Sequence, residues 1–137
     1  FSSKQIASLL KLLKYLVKKY NINKKNILGH SDISPNRKKD PGEKFPWSKL
    51  AKKKLCHWHN LNEKKIKKLR LLKLKKNEKK IFFKNLHNIG FPKISLNEYK
   101  NDSFKLVLAF QRKFRQKLIN GKIDQECFLI SKNLLKS

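Results

Sequence analysis

From Ser2 or Ser3 onward, the apolar residues Ile6, Leu9, Leu10, Leu13, Leu16, Val17 and Tyr20 recur at steps of three and four, with lysines between them. This spacing lays one apolar stripe along a helix, so the pattern predicts an amphipathic helix N-capped by serine and ending near Asn21. The next apolar pair, Ile27-Leu28, runs into Gly29 and predicts a short buried strand over residues 26–30 whose end delivers His30 to an edge or cleft. Between Ser31 and Pro46, the residues Pro35, Pro41, Gly42 and Pro46 break both periodicities and predict an ordered loop. Such loops often carry function.

The second half of the chain is patterned for helices. A short helix is expected from Ser48 to about Leu55. The lysine-dense stretch from Asn60 to Asn77 spaces Leu61, Ile66, Leu69 and Leu72 as a helical linker or a basic surface helix would. From Glu78, the residues Ile81, Phe82 and Leu86 predict a helix stopped at Gly90. A further helix is expected from about Ser103 to Leu118, with Val107, Phe110 and Phe114 on its core face. Asn120-Gly121 then reads as a turn, and a last helix starts near Asp124. The expected organisation is therefore residues 1–59, a basic linker or helix over 60–77, and a small all-α unit of three helices over 78–137.

Charge changes this picture less than its size suggests. The 36 Lys+Arg against 9 Asp+Glu give a formal net charge of +27, which points to a polyanionic partner or setting. A general excess of Lys, Asn, Ile and Phe, of the kind AT-rich coding favours, explains the same charge without any partner. No RNP-like, zinc-finger or helix-turn-helix signature accompanies it, so no specific nucleic-acid partner is expected. The 39% hydrophobic content exceeds that of a disordered basic tail. The longest apolar run, Leu106 to Phe110, falls far short of the roughly 20 residues that cross a bilayer. Cys56 and Cys127 form no CxxC pair and define no disulfide framework. With no methionine and a start at Phe1, the chain reads as the C-terminal part of a longer protein.

Candidate chemistry concentrates in the loop. His30 is followed ten positions later by Asp40, and a proline-stiffened turn can fold the two onto one metal ion. Neutral imidazole and carboxylate are suitable zinc ligands. One histidine and one aspartate are common in any sequence, however, and spacing alone does not decide the matter.

The full run GHSDISPNRKKDPGEKFPW, residues 29–47, resembles without gaps the signature of the zinc-dependent N-acetylmuramoyl-L-alanine amidases of type 2, the peptidoglycan-recognition-protein-like family. The helix of Phe1 to Ile22 is similar to the one preceding that signature, and Leu50-Ala51 and Trp58 resemble the segment after it. The resemblance implies an α/β amidase domain, here truncated at its N-terminus, that uses zinc and water to cleave the amide between N-acetylmuramic acid and L-alanine. By position, His30 and Asp40 match two zinc ligands, and Lys38 matches the basic residue that stabilises the developing oxyanion. Asp32 matches a residue that supports the loop by hydrogen bonding rather than binding metal. Ser34 and Asn36 replace the usual small residues, with Asn36 expected to take a left-handed turn. The family's first zinc-binding histidine and its general-base glutamate lie upstream of the segment matching Phe1, so this fragment alone is expected to be inactive.

The C-terminal part resembles the three-helix peptidoglycan-binding domains that follow such amidases. The resemblance is carried by Leu86-His87-Asn88-Ile89-Gly90-Phe91, Ala109-Phe110-Gln111-Arg112-Lys113-Phe114-Arg115 and Asn120-Gly121-Lys122-Ile123-Asp124. It implies Gly121 at the turn and Asp124 capping the last helix, in a fragment that is mostly helical overall. The expected substrate is peptidoglycan or a muropeptide. The appended module favours the bacterial envelope, periplasmic or outer-membrane associated, over the cytoplasm. A noncatalytic peptidoglycan-binding protein is the alternative, but it has no physical need to retain His30, Lys38 and Asp40 together. Cys56, His57 and His59 form a second group of metal-ligand type, whose neighbours in the family have no metal role. Trp47, Phe110 and Phe114 are expected to pack rather than to stack on sugar.

Overall fold

The computed structural model describes residues 1–93 and 99–137, and the remaining stretch of the expected three-helix unit lies outside them. Seven helices run along the described chain: α1 (Ser3–Tyr20), α2 (His30–Ile33), α3 (Trp47–Lys52), α4 (Glu63–Ile66), α5 (Lys76–Ile89), α6 (Tyr99–Phe114) and α7 (Gln125–Leu134). Local signals set their ends. Ser2 accepts from the Gln5 amide while Gln5 reaches back to the Ser2 amide, and Asn21 closes α1 in the left-handed region at φ 48°. Gly90, at φ 113°, closes α5. Asp124 caps α7 by accepting from the Cys127 amide at 2.9 Å.

No strand forms among the described residues. Residues 24–26 make a 3-10 turn instead, and the extended Ile27-Leu28 that follows has no neighbouring strand to pair with. The Ile27 carbonyl accepts from the Lys113 ammonium at 3.3 Å. His30 therefore opens a one-turn helix rather than ending a strand. Asn36 is not left-handed either, since the non-glycine residues with positive φ are Asn21, Lys54 and Leu71; the short turn at Pro35–Arg37 keeps it in an ordinary region.

Two apolar clusters organise the chain. The first joins Trp47, Leu50, Leu55 and Cys56, with Leu10, Leu13, Val17, Ile27 and Phe45 against them. The second is the core of α5–α7, built on Phe82, Leu86, Leu106, Val107, Phe110, Phe114, Ile130 and Leu134, and it also takes in Ile66. Trp58 lies at the edge of both. The apolar face of α1 is only partly covered, with Leu12, Tyr15 and Tyr20 each more than half exposed.

The stretch from Asn60 to Asn77 is laid along α7 rather than forming one continuous helix. After the short α4 and a 3-10 turn, Arg70 pairs with Glu126 through two hydrogen bonds of 2.6 and 2.7 Å. Leu71, at φ 65°, donates its amide to Asp124 Oδ2 at 3.1 Å, and the Leu72 carbonyl accepts from Gln125 N at 3.0 Å. Satisfying the buried acids at the start of α7 breaks the helical spacing that the sequence displays.

Candidate active site

The loop from Gly29 to Trp47 brings together two of the residues singled out above. His30 Nδ1 and Asp40 Oδ2 are in direct contact. Three features hold them there. Asp32, at the third position of α2, accepts from the Gly29 amide at 2.9 Å through Oδ2, which fixes the start of the turn that carries His30. The Asp40 carbonyl accepts from Ser31 N at 3.0 Å, which lays the two ends of the loop side by side. Finally, Gly29 is closely approached: a Cβ built there would stand 2.5 Å from Pro41 Cδ and 3.3 Å from Trp47. Only glycine lets Pro41, and with it Asp40, come this near to His30.

The side chains of His30 and Asp40 are 77% and 54% exposed, so both remain open to solvent. The hydrogen bond from His30 holds the Asp40 carboxyl below the usual carboxylate range, and the charges of His30 and Lys38 act in the same direction. Lys38 is exposed and near enough to Asp40 to be felt there. Asp32, in contrast, is buried at 3% exposure and occupied by two donors, the Gly29 amide and, at 2.6 Å, the Lys113 ammonium.

An imidazole nitrogen and a carboxylate oxygen converging on one exposed point fit a zinc ion as part of a donor set. Among the described residues, no group of three or more His, Cys, Asp or Glu side chains is arranged to hold a metal. Cys56, His57 and His59 go separate ways. Cys56 Sγ lies 3.7 Å from the Trp47 carbonyl, His57 Nε2 lies 2.9 Å from Ser137 Oγ, and the His59 ring stacks on Trp58. Burial lowers the pKa of both histidines.

Residues with no expected role in the chemistry complete the frame. Lys113 on α6 reaches Asp32 and the Ile27 carbonyl, and its ammonium lies 4.5 Å from the centre of the Trp47 ring. Gln116 donates to the carbonyls of Glu43 and Phe45 at 2.8 and 2.7 Å. Trp47, Phe110 and Phe114 are buried as packing residues. A cavity of about 700 Å³ opens where residues 58–70 meet α6 and α7, lined in part by Trp58, Arg70, Phe114 and Arg115. It includes neither His30 nor Asp40.

The family model described as N-acetylmuramoyl-L-alanine amidase matches residues 1–43, which contain α1, His30, Lys38 and Asp40. The N-acetylmuramoyl-L-alanine amidase AmiD of Escherichia coli is 30% identical over 136 residues, covering 99% of this chain and 49% of AmiD. Over almost its whole length the chain is similar to an N-acetylmuramoyl-L-alanine amidase. The 1,6-anhydro-N-acetylmuramyl-L-alanine amidase AmpD of Haemophilus influenzae is 46% identical over 50 residues, 36% of this chain and 27% of AmpD. Among solved structures, that of E. coli AmiD with anhydro-N-acetylmuramic acid-L-Ala-D-γ-Glu-L-Lys superposes with a TM-score of 0.85 at 29% identity, over 99% of this chain and 52% of that one. AmpDh3 of Pseudomonas aeruginosa, in complex with anhydromuramic pentapeptide, gives 0.79 at 26% identity, over 99% and 53%. The likeness to AmiD and to AmpDh3 extends through α5–α7. The chain spans about half the length of AmiD.

Proposed function

We propose that the protein is a zinc-dependent N-acetylmuramoyl-L-alanine amidase acting on peptidoglycan or its muropeptide fragments. The observation that carries this reading is the convergence of His30 and Asp40 within a loop whose sequence and fold are shared with amidases of that specificity. His30 and Asp40 would hold the zinc, with a third donor, a histidine upstream of Phe1, completing the set. Bound there, a zinc ion would supply Lewis acidity for attack of water on the lactyl carbonyl. Lys38 brings a fixed positive charge beside the site, where the carbonyl oxygen gains negative charge as the amide is attacked. Asp32 and Gly29 keep the two protein donors in register. Water adds across the amide, and the products are a muramic acid carboxylate and a peptide with a free L-alanine amine.

We assign residues 78–137 to holding the enzyme on wall polymer and residues 1–59 to the catalytic domain, with 60–77 between them. That assignment favours the bacterial envelope, periplasmic or outer-membrane associated, over the cytoplasm. Among the described residues no helix is long and apolar enough to cross a membrane. The test is hydrolysis of an anhydromuramyl tripeptide, and of purified peptidoglycan, by the longest polypeptide that contains this sequence. Zinc-dependent appearance of free L-alanine amines, lost in His30→Ala, supports the reading. Binding to peptidoglycan without any release of peptide would favour the noncatalytic alternative.

A further inference from the structure

A lysine ammonium is strongly hydrated, and burying one costs more than most side chains unless it is paired. Lys113 is nevertheless only 3% exposed in a chain whose other lysines are largely at the surface. Both of its hydrogen bonds go to residues 27–32, at the start of the loop. Nζ is 2.6 Å from Asp32 Oδ2 and 3.3 Å from the Ile27 carbonyl, and it sits over the Trp47 ring. The same Asp32 oxygen accepts from the Gly29 amide at 2.9 Å, at the start of the turn whose first residue is His30. One carboxylate oxygen thus links α6 to the backbone that aims His30.

The other flank of the loop is held from the same place. Gln116, three positions beyond Lys113, donates to the Glu43 and Phe45 carbonyls, directly after Asp40-Pro41-Gly42. Lys105, earlier on α6, reaches the Asn36 carbonyl at 3.4 Å in the middle of the loop. The segment bearing His30 and Asp40 is therefore held before, within and after its turn from α6 and the residue pair just beyond it. A buried ion pair is a poor device for stability alone, because apolar residues of the same volume serve as well or better. Its directionality is what an apolar contact lacks.

We propose that Lys113 is a positioning residue of the amidase site, through which the C-terminal helices set the spacing of His30 and Asp40. The proposal rests on the reading of those two residues as zinc ligands. It gives α5–α7 a task inside the catalytic unit in addition to any contact with the wall.

The test compares the chain with Lys113→Met, Lys113→Arg and the double variant Asp32→Asn/Lys113→Met. Amide hydrogen exchange is read at Gly29 and, for the helical core, at Leu86 and Ile130. Zinc affinity is read by competition with a chromophoric chelator. In Lys113→Met, exchange at Gly29 is expected to speed up disproportionately while Leu86 and Ile130 hold, and zinc affinity is expected to fall roughly 10–100-fold, as for other residues that orient metal ligands. Lys113→Arg, which keeps the charge, is expected to recover most of both. If Lys113→Met does not fold, the double variant, which leaves no unpaired buried charge, is read in the same way. Exchange that rises equally at all three amides, or wild-type zinc affinity in a folded variant, overturns the proposal. Zinc affinity is read in the longest polypeptide that contains this sequence, so that the third donor is present; if that polypeptide binds no zinc at His30, it is the ligand assignment that fails, and exchange at Gly29 still decides whether Lys113 positions the turn.

Discussion

Gly29→Ala perturbs the site through a single methyl group. At φ −95° and ψ 161° the backbone of Gly29 suits alanine, so the substitution carries no conformational penalty of its own. Its effect comes from contact. The new Cβ would meet Pro41 Cδ at 2.5 Å, where ordinary contacts begin at 3.4 Å, so the two must separate by about 0.9 Å, the difference of those distances. Trp47 at 3.3 Å and the Asp40 carbonyl at 3.4 Å close the other directions, and a proline ring cannot swing aside as a flexible side chain would. The displacement therefore passes to Asp40. Overpacking of this kind costs about 1–3 kcal/mol of stability. A shift of about 1 Å between reacting groups can cost on the order of 10²-fold in function. Urea denaturation followed by circular dichroism reads the first quantity, and zinc affinity of the folded variant reads the second. Gly90→Ala is the control: Gly90 has φ 113° with nothing near its Cβ position, so its cost is backbone strain rather than contact. A Gly29→Ala protein that binds zinc as tightly as the unaltered chain would refute the close-approach argument, as would equal weakening by Gly90→Ala.

Other outcomes are expected on the same grounds. In a polypeptide with the complete site, Lys38→Ala should lower turnover about 10²-fold or more while leaving zinc content unchanged, with Lys39→Ala as the control; equal effects at both positions would point to a diffuse field instead. His57 and His59 have pKa values lowered by burial, so the folded chain resists protons that the unfolded chain takes up near pH 6.5. Their contribution to stability is full above about pH 6.5 and is lost as pH falls toward their folded values, at about 1.4 kcal/mol for each pH unit by which a histidine is held down. Denaturation midpoints between pH 7.5 and 5 should drop accordingly, and the slope should flatten in a His57→Gln/His59→Phe variant. Burial pushes the Cys56 and Cys127 thiols up to about 11 and about 12, so both should resist a thiol reagent at pH 8 until the chain is unfolded.

What could be read from the sequence was what neighbouring residues decide. The stripes that predict α1 and α5, the helix ends at Asn21 and Gly90, the Asp124 cap and the turn at Gly121 all rest on local geometry, and each forms near its expected place. The motif likewise placed His30 and Asp40 together, because the loop that joins them is short and stiff. The strand over residues 26–30 failed because a strand needs a partner, and the Ile27 carbonyl is taken by a side chain from α6. The helical spacing over residues 60–77 was real but was overridden by Glu126 and Asp124, more than fifty positions away. Lys113 stands in the Ala109–Arg115 motif, but nothing there marked it for burial against the loop. In a chain with 36 Lys+Arg, nothing local distinguishes the lysine that will be buried 81 positions from its partner.

The central claim is that His30 and Asp40 are zinc ligands of an amidase site, and the most direct measurement is a zinc titration of the chain followed by nuclear magnetic resonance of its histidine rings. The account predicts that zinc shifts the His30 ring first, leaves His57, His59 and His87 unchanged, and has no effect on His30 once Asp40→Ala is introduced. Zinc that gathers at Cys56, His57 and His59, or a His30 response that survives Asp40→Ala, would contradict it.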